Sequence, residues 1–240
     1  MSNKSAKVIM LQPESQGGNF EYVAIPRQGL LFLSSALKQA RSQFTYENEI
    51  WFEERSGKID PDKDLNGVDI LMISALINEA PRAYEIARQA RLCHPSIVII
   101  GGGPHMSPLA EEALRQGFDV IGNRESEDII AKLCDVLLTH KGEDRTRALY
   151  KIRGISFMDD GHFVDNERPG GALINPDFAE TPDFHAIRDL SVGTPMIGGV
   201  IETIRGCTEK CTYCQVIQQF LGYRFIEQET ELKRLDQLHE

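Results

Sequence analysis

Hydrophobic positions in the first 140 residues fall into short apolar runs that alternate with helical stripes. Val8 to Leu11 is an unbroken apolar run ending at Gln12-Pro13, the pattern of a strand buried on both faces. Leu30, Leu33, Leu37 and Ala40 then recur at helical spacing. Phe44 to Phe52 is aromatic but interleaved with charge, which predicts a strand at a sheet edge. Val68 to Ser74 predicts another strand, and Pro81, followed by Ala83, Ile86, Ala87 and Ala90 on one face, opens a helix. Ile97 to Ile100 is β-branched or valine-rich throughout and stops at Gly101-Gly102-Gly103-Pro104. A helix over Pro108 to Gln116, a strand over Asp119 to Ile121 ending at Gly122, and a helix over Glu127 to Leu138 complete the series.

Five strands alternating with helices predict an α/β fold, a flavodoxin/Rossmann-like doubly wound parallel sheet; the sequence does not give the strand order, but five-stranded sheets of this kind are often 2-1-3-4-5. Ligands of such sheets bind beyond the carboxyl ends of the strands. That rim comprises the loops Gln12 to Gln28, Ser74 to Ala80, Gly101 to Ser107 and Gly122 to Ser126; the first carries Gly17-Gly18 and is long enough to cover a large ligand. Residues 140–150 are polar and predict a boundary. Ile155 to Met158 and Phe163 to Asn166 flank Asp159-Asp160-Gly161-His162 as a hairpin. Asn175 to Pro195 holds three prolines and reads as a linker, and Gly199 to Thr203 as a new strand. The expected organisation is a domain over 1–150, a connector over 151–197 and the start of a second domain over 198–240.

Charge and cysteine usage narrow the function. The chain has 240 residues, with 26 Lys+Arg against 36 Asp+Glu, a net charge of −10 that argues against nucleic acid as the main partner. No run of about 18 apolar residues occurs, so a membrane-spanning helix is not expected. The polar start, Met1 to Ala6, lacks the features of a secretory signal, and cytoplasm is the expected location. Three of the five cysteines, Cys207, Cys211 and Cys214, form CxxxCxxC within eight residues. Three soft ligands on one loop suit an iron–sulfur centre, leaving one iron of a cubane open to an outside ligand. Zinc needs a fourth protein ligand, for which His185, His239, Cys93 and Cys134 are the candidates. Cys93 and Cys134 read more simply as small buried residues, and His105 as a loop residue satisfied by backbone. Gly101-Gly102-Gly103 fails the dinucleotide pattern, because Met106 stands at its last position and Pro104 lacks an amide donor. Leu232, Leu235 and Leu238 form an amphipathic stripe.

Thr203-Ile204-Arg205-Gly206-Cys207 through Tyr213-Cys214 resembles the hallmark segment of radical S-adenosylmethionine (SAM) enzymes. The upstream part resembles the cobalamin-binding domain fused to many of them, in Pro26-Arg27-Gln28-Gly29-Leu30, Ile100-Gly101-Gly102-Gly103-Pro104-His105 and Gly122-Asn123-Arg124-Glu125. The resemblance implies that Cys207, Cys211 and Cys214 ligate a [4Fe–4S] cluster whose open iron binds SAM. It implies radical chemistry, with methyl transfer as one outcome, on an unknown substrate, fed by an external electron donor. Ser74, Gly102, Gly103, Pro104, Gly122 and Glu125 would then cradle cobalamin, and Tyr213 would contact the cofactor beside the cysteines. The only Asp-x-His is Asp183-Phe184-His185, with Arg188 in the glycine place of the lower-ligand pattern Asp-x-His-x-x-Gly, so any cobalamin would be held without histidine coordination, or the fold is retained without cobalamin. Residues 198–240 would form the first βα unit of a partial TIM-type barrel. A Gly-Gly-Glu segment for SAM does not occur, so a truncated or split protein is expected, inactive unless a second chain completes the barrel. The alternatives are a cobalamin or small-ligand binding module without catalysis and a zinc-stabilised structural protein.

Overall fold

The computed structural model describes residues 4–16, 27–167, 174–177, 181–189 and 200–239. Gly17, Gly18, Pro26, Pro195 and Gly199 fall outside them. In chain order the elements are β1 (Lys4–Gln12), α1 (Gln28–Gln39), β2 (Phe44–Phe52), α2 (Glu53–Ser56), α3 (Pro61–Asp64), β3 (Ile70–Ser74) and α4 (Ala80–Cys93). Then come β4 (Val98–Gly102), α5 (Gly103–Met106), α6 (Ala110–Arg115), β5 (Val120–Gly122), α7 (Ile130–Thr139), α8 (Gly142–Leu149), β6 (Ile155–Asp159) and β7 (His162–Asn166). Last are β8 (Ile204–Gly206), α9 (Val216–Gln219), β9 (Tyr223–Phe225) and α10 (Gln228–His239).

The main sheet runs β2-β1-β3-β4-β5-β6-β7, and its first five strands are parallel in the expected order. Alternate side chains enter two cores. Val8, Met10, Ile70 and Met72 pack with Leu30 and Leu37 of α1 and Leu133 and Leu137 of α7. Ile9, Leu11, Leu71 and Ile73 pack with Ala83, Ile86 and Ala87 of α4 and Leu114 of α6. Burial on both faces explains why these strands read as continuous apolar runs. Among the described residues no helix is long and apolar enough to cross a membrane.

The connector is more integrated than its sequence suggests. Residues 142–149 are helical, and β6 pairs antiparallel with β5, so the hairpin extends the main sheet. Its polar edge is anchored by Asn166, whose Nδ2 donates to the carbonyls of Tyr150 and Ile152 at 3.0 and 2.6 Å. Within the proline-rich stretch, residues 183–188 lie at the opposite edge. There Ile187 bridges Ile50 of β2, and Ala186 and Ile187 are buried against the core. Part of the expected linker is thus a sheet-edge cover, which protects the unpaired groups of β2.

A different arrangement also replaces the expected βα unit. Val200 to Thr203 carry no regular structure, and β8 pairs antiparallel with β9, matching Ile204 to Phe225, Arg205 to Arg224 and Gly206 to Tyr223. Gly206 makes this return possible. It sits at φ +87°, and a Cβ there would collide with the Gly222 carbonyl.

Candidate functional site

The carboxyl ends of β3, β4 and β5 and the amino ends of α1 and α7 enclose a cleft of about 300 Å³, at the small end of ligand sites. Ser74, Gly102, Gly103, Pro104, Gly122 and Glu125 all line it. The sequence-selected rim residues therefore converge on one cavity. Leu30, Leu33, Ile100 and Ile130 make its wall apolar, and Phe220 and Gln219, just beyond the cysteines, close it. Sequence reasoning missed Gln219 and Phe220, because neither belongs to a recognisable motif.

The glycines divide into packing and lining roles. Gly101 faces the core, where a Cβ would lie 2.6 Å from Ile121 Cδ1. Gly103 has φ +89°, and a Cβ there would lie 2.7 Å from Ser74 Oγ. A Cβ at Gly102 meets only the Gly122 carbonyl, at 3.6 Å, so this backbone is bare toward the cleft. Gly103→Ala is expected to cost about 2 kcal/mol, or about 4–8 °C in Tm. Gly102→Val should leave Tm within about 2 °C while filling the cleft. Thermal melts of the two variants check the contrast.

His105 lies on the far side of the same loop. Its Nε2 is 3.0 Å from Tyr84 Oη, it is buried, and it does not line the cleft. No rim imidazole therefore reaches a ligand held there from the Gly-Gly-Pro-His segment. Burial holds its pKa below the ordinary 6.5, against the opposing pull of Glu112. A lowered folded value gives stability that is present above 6.5 and is lost as pH falls through it. His105→Gln is therefore expected to flatten the fall of Tm below about pH 6.5, read from thermal melts over a pH series.

A buried ionic cluster joins the rim to the cysteine segment. Arg205 is only 2% exposed. Its Nη1 lies 2.7 Å from Glu125 and 2.9 Å from Glu127, and its Nε donates to both oxygens of Glu202 at 2.9 Å. Arg224, opposite Arg205 in the β8–β9 ladder, donates through Nη2 to the other Glu125 oxygen at 2.8 Å. Two like charges facing each other across strands repel; Glu125 bridges them. The Arg205 and Arg234 guanidiniums each lie 5.2 Å from the Phe32 ring of α1. Burial opposes charge on Arg205, but Glu127 and Glu202 outweigh it and its pKa is raised. Burial is also the main cause raising the Glu202 pKa, with Arg205 pulling the other way. Glu125, selected as a ligand contact, thus spends its carboxylate on anchoring the cysteine segment.

Cys207, Cys211 and Cys214 are each partly exposed on the loop between β8 and α9. Among the described residues no three His, Cys, Asp or Glu side chains are grouped so as to hold a metal ion. Loops of this kind are commonly gathered by the metal they bind; this one carries three thiols together with Glu209, whose N–H donates to Cys207 Sγ at 3.4 Å. The zinc alternatives do not supplement it: Cys134 is buried in the core as expected, Cys93 is not buried as expected but exposed at the end of α4, and His185 is exposed on a turn over α1 and β2. The His239 side chain lies outside the described residues. Tyr213 is 87% exposed and stands away from the cleft.

Fold and cleft together define a doubly wound, Rossmann-like α/β protein with a cleft at its rim. No family model matches the chain. A Pyrococcus horikoshii protein described as an uncharacterized methyltransferase is 26% identical over 230 residues, 90% of this chain and 47% of that protein. The chain thus spans about half the length of this relative. A solved structure of the Salmonella typhimurium RcsB response regulator is 16% identical, covering 63% of this chain and 69% of that one, with a TM-score of 0.37. That likeness is too loose to carry an argument.

Proposed function

We propose that the chain is the cofactor-binding portion of an enzyme of methyltransferase type, in which Cys207, Cys211 and Cys214 ligate a [4Fe–4S] cluster and the rim cleft holds a second small cofactor. The observation that carries this reading is the joint between the two sites: Arg205, two residues before Cys207, is buried on rim carboxylates, and Phe220, shortly after Cys214, walls the cleft. A loop serving only as a structural staple has no need to close a ligand cleft. The distant methyltransferase relative supports the enzyme class.

When reduced and bound to SAM, such a cluster supplies one-electron cleavage of the sulfonium and so a route to a carbon radical. The chain's own residues do the positioning. Arg205 and Arg224 hold the cysteine segment against the rim, and Leu30, Leu33, Ile130 and Phe220 give the cleft an apolar lining. Cobalamin is the second cofactor proposed from the rim motifs. A cleft of about 300 Å³ admits a ring-sized appendage and not a whole corrin. The bare Gly102 backbone permits close approach there.

Anaerobic reconstitution with iron and sulfide tests the cluster; about four of each per chain are expected. Zinc bound in place of iron and sulfide overturns the reading. A binding module without catalysis is the second reading, favoured by a cleft formed mostly within the Rossmann-like unit. Saturable hydroxocobalamin binding without iron loading or reductive SAM cleavage would select it.

A further inference from the structure

Arg124 stands on the ridge between the apolar cleft and an adjoining polar cleft of about 340 Å³, and it lines both. The second cleft lies between the rim, the β6–β7 hairpin and α9, with Asn123, Asp165, Gln215 and Gln218 on its walls. Two features single Arg124 out. Its backbone is left-handed, at φ +63°, a conformation that non-glycine residues rarely adopt and that clusters at ligand sites. The strained peptide is pinned on both sides: its N–H donates to Ser107 Oγ at 3.1 Å, and its carbonyl accepts from Gln219 Nε2 at 3.3 Å.

The second feature is charge. Among the described residues the Arg124 guanidinium makes no hydrogen bond and no ion pair. The side chain is exposed, and acids are close at hand. Of these, Glu125 is held by Arg205 and Arg224, and Asp165 accepts from Asn123 Nδ2 at 3.0 Å and Ser156 Oγ at 3.2 Å, while Glu167 also lines the polar cleft. Arg27, the other arginine of the apolar cleft, pairs with Glu79 at 2.6 Å. A planar guanidinium left open beside an apolar cavity is suited to a phosphate or carboxylate, which it can take through two parallel hydrogen bonds.

We propose that Arg124 is the anion-recognising residue of the rim, so that the ligand is an apolar ring-sized body carrying a phosphate- or carboxylate-type group. The body occupies the apolar cleft, and the anion sits on the ridge against Arg124. This deepens the proposed role of the rim as a cofactor platform and rests on it.

Two fluorescent probes that share one ring system separate the charge from the cavity: anilinonaphthalene sulfonate, an anion, and N-phenylnaphthylamine, which is neutral. Both are titrated into the full chain at low salt, with the wild type, Arg124→Gln, Arg124→Lys and Gly102→Val. The expected result is that Arg124→Gln weakens the anionic probe about tenfold and leaves the neutral probe unchanged, consistent with a charge-assisted contact. Arg124→Lys should restore part of the loss, added salt should erode the anion preference, and Gly102→Val should weaken both probes. Equal affinity of the anionic probe for wild type and Arg124→Gln overturns the role of Arg124 while leaving the cleft standing. Failure of both probes to bind, or indifference of both to Gly102→Val, overturns the platform reading and this inference with it.

Discussion

Replacing any one of Cys207, Cys211 and Cys214 with serine is expected to lower bound iron after anaerobic reconstitution from about four per chain to below one. Serine offers a hard, protonated hydroxyl where a soft thiolate is needed. No neighbouring thiol can take over. Cys134 is fully buried between α7 and the sheet, with burial raising its pKa, and Cys93 sits at the end of α4. Cys93→Ser is the matched control and should keep its iron. The fold should be untouched in all four variants, because the three cysteines are partly exposed and outside both cores. Iron and sulfide assays with visible absorption, beside far-UV circular dichroism, read the two effects separately. Full iron content in Cys211→Ser would remove the basis for the ligand assignment.

The doubly wound core was legible because its physics is local. Central parallel strands are apolar on both faces, so Val8 to Leu11 and Ile70 to Ile73 announce themselves without reference to partners. Phe44 to Phe52 was legible as an edge strand to the residue, since its charges alternate with aromatics that face the core. The glycine loops could be placed at the rim once strand ends were known, and the cleft then followed from topology. What escaped the sequence depends on distant pairing. The hairpin's junction with β5 rests on antiparallel bonds that no periodicity encodes. Helix α8 is too polar to show a core-facing stripe; of its residues only Leu149 is buried. Strand β9 did leave a signal, since Tyr223-Arg224-Phe225 alternates aromatic and charged at period two. Its partner could not be read, and neither could the ionic joint, whose members on the rim and in the cysteine segment lie 80 and 99 residues apart.

That joint yields the second large effect. Arg205→Leu is expected to cost about 3–5 kcal/mol, the range for removing one partner of a buried ion pair. The leucine leaves Glu127 and Glu202 buried without their main cation, whereas Glu125 keeps Arg224. The loss should be local, because the cluster lies outside the two hydrophobic cores and ties one segment to the rim. Hydrogen exchange is therefore expected to accelerate about 100-fold or more in residues 204–206 and 223–225, while β1 and β3 keep their protection. Arg205→Lys should rescue only part of this, since a single ammonium cannot fork to three carboxylates as a guanidinium does. A pH series supplies an independent sign. Burial already raises the Glu202 pKa above 4.5, and losing Arg205 removes the main influence that lowers it. A raised folded value means stability that is present below the unfolded pKa and lost as pH rises through the folded one. The docking defect of Arg205→Leu should accordingly shrink as pH falls toward 4.5 and deepen toward neutrality. Uniform loss of protection across the whole sheet, or a defect independent of pH, would show that Arg205 supports the fold as a whole and does not specifically hold the cysteine loop over the cleft.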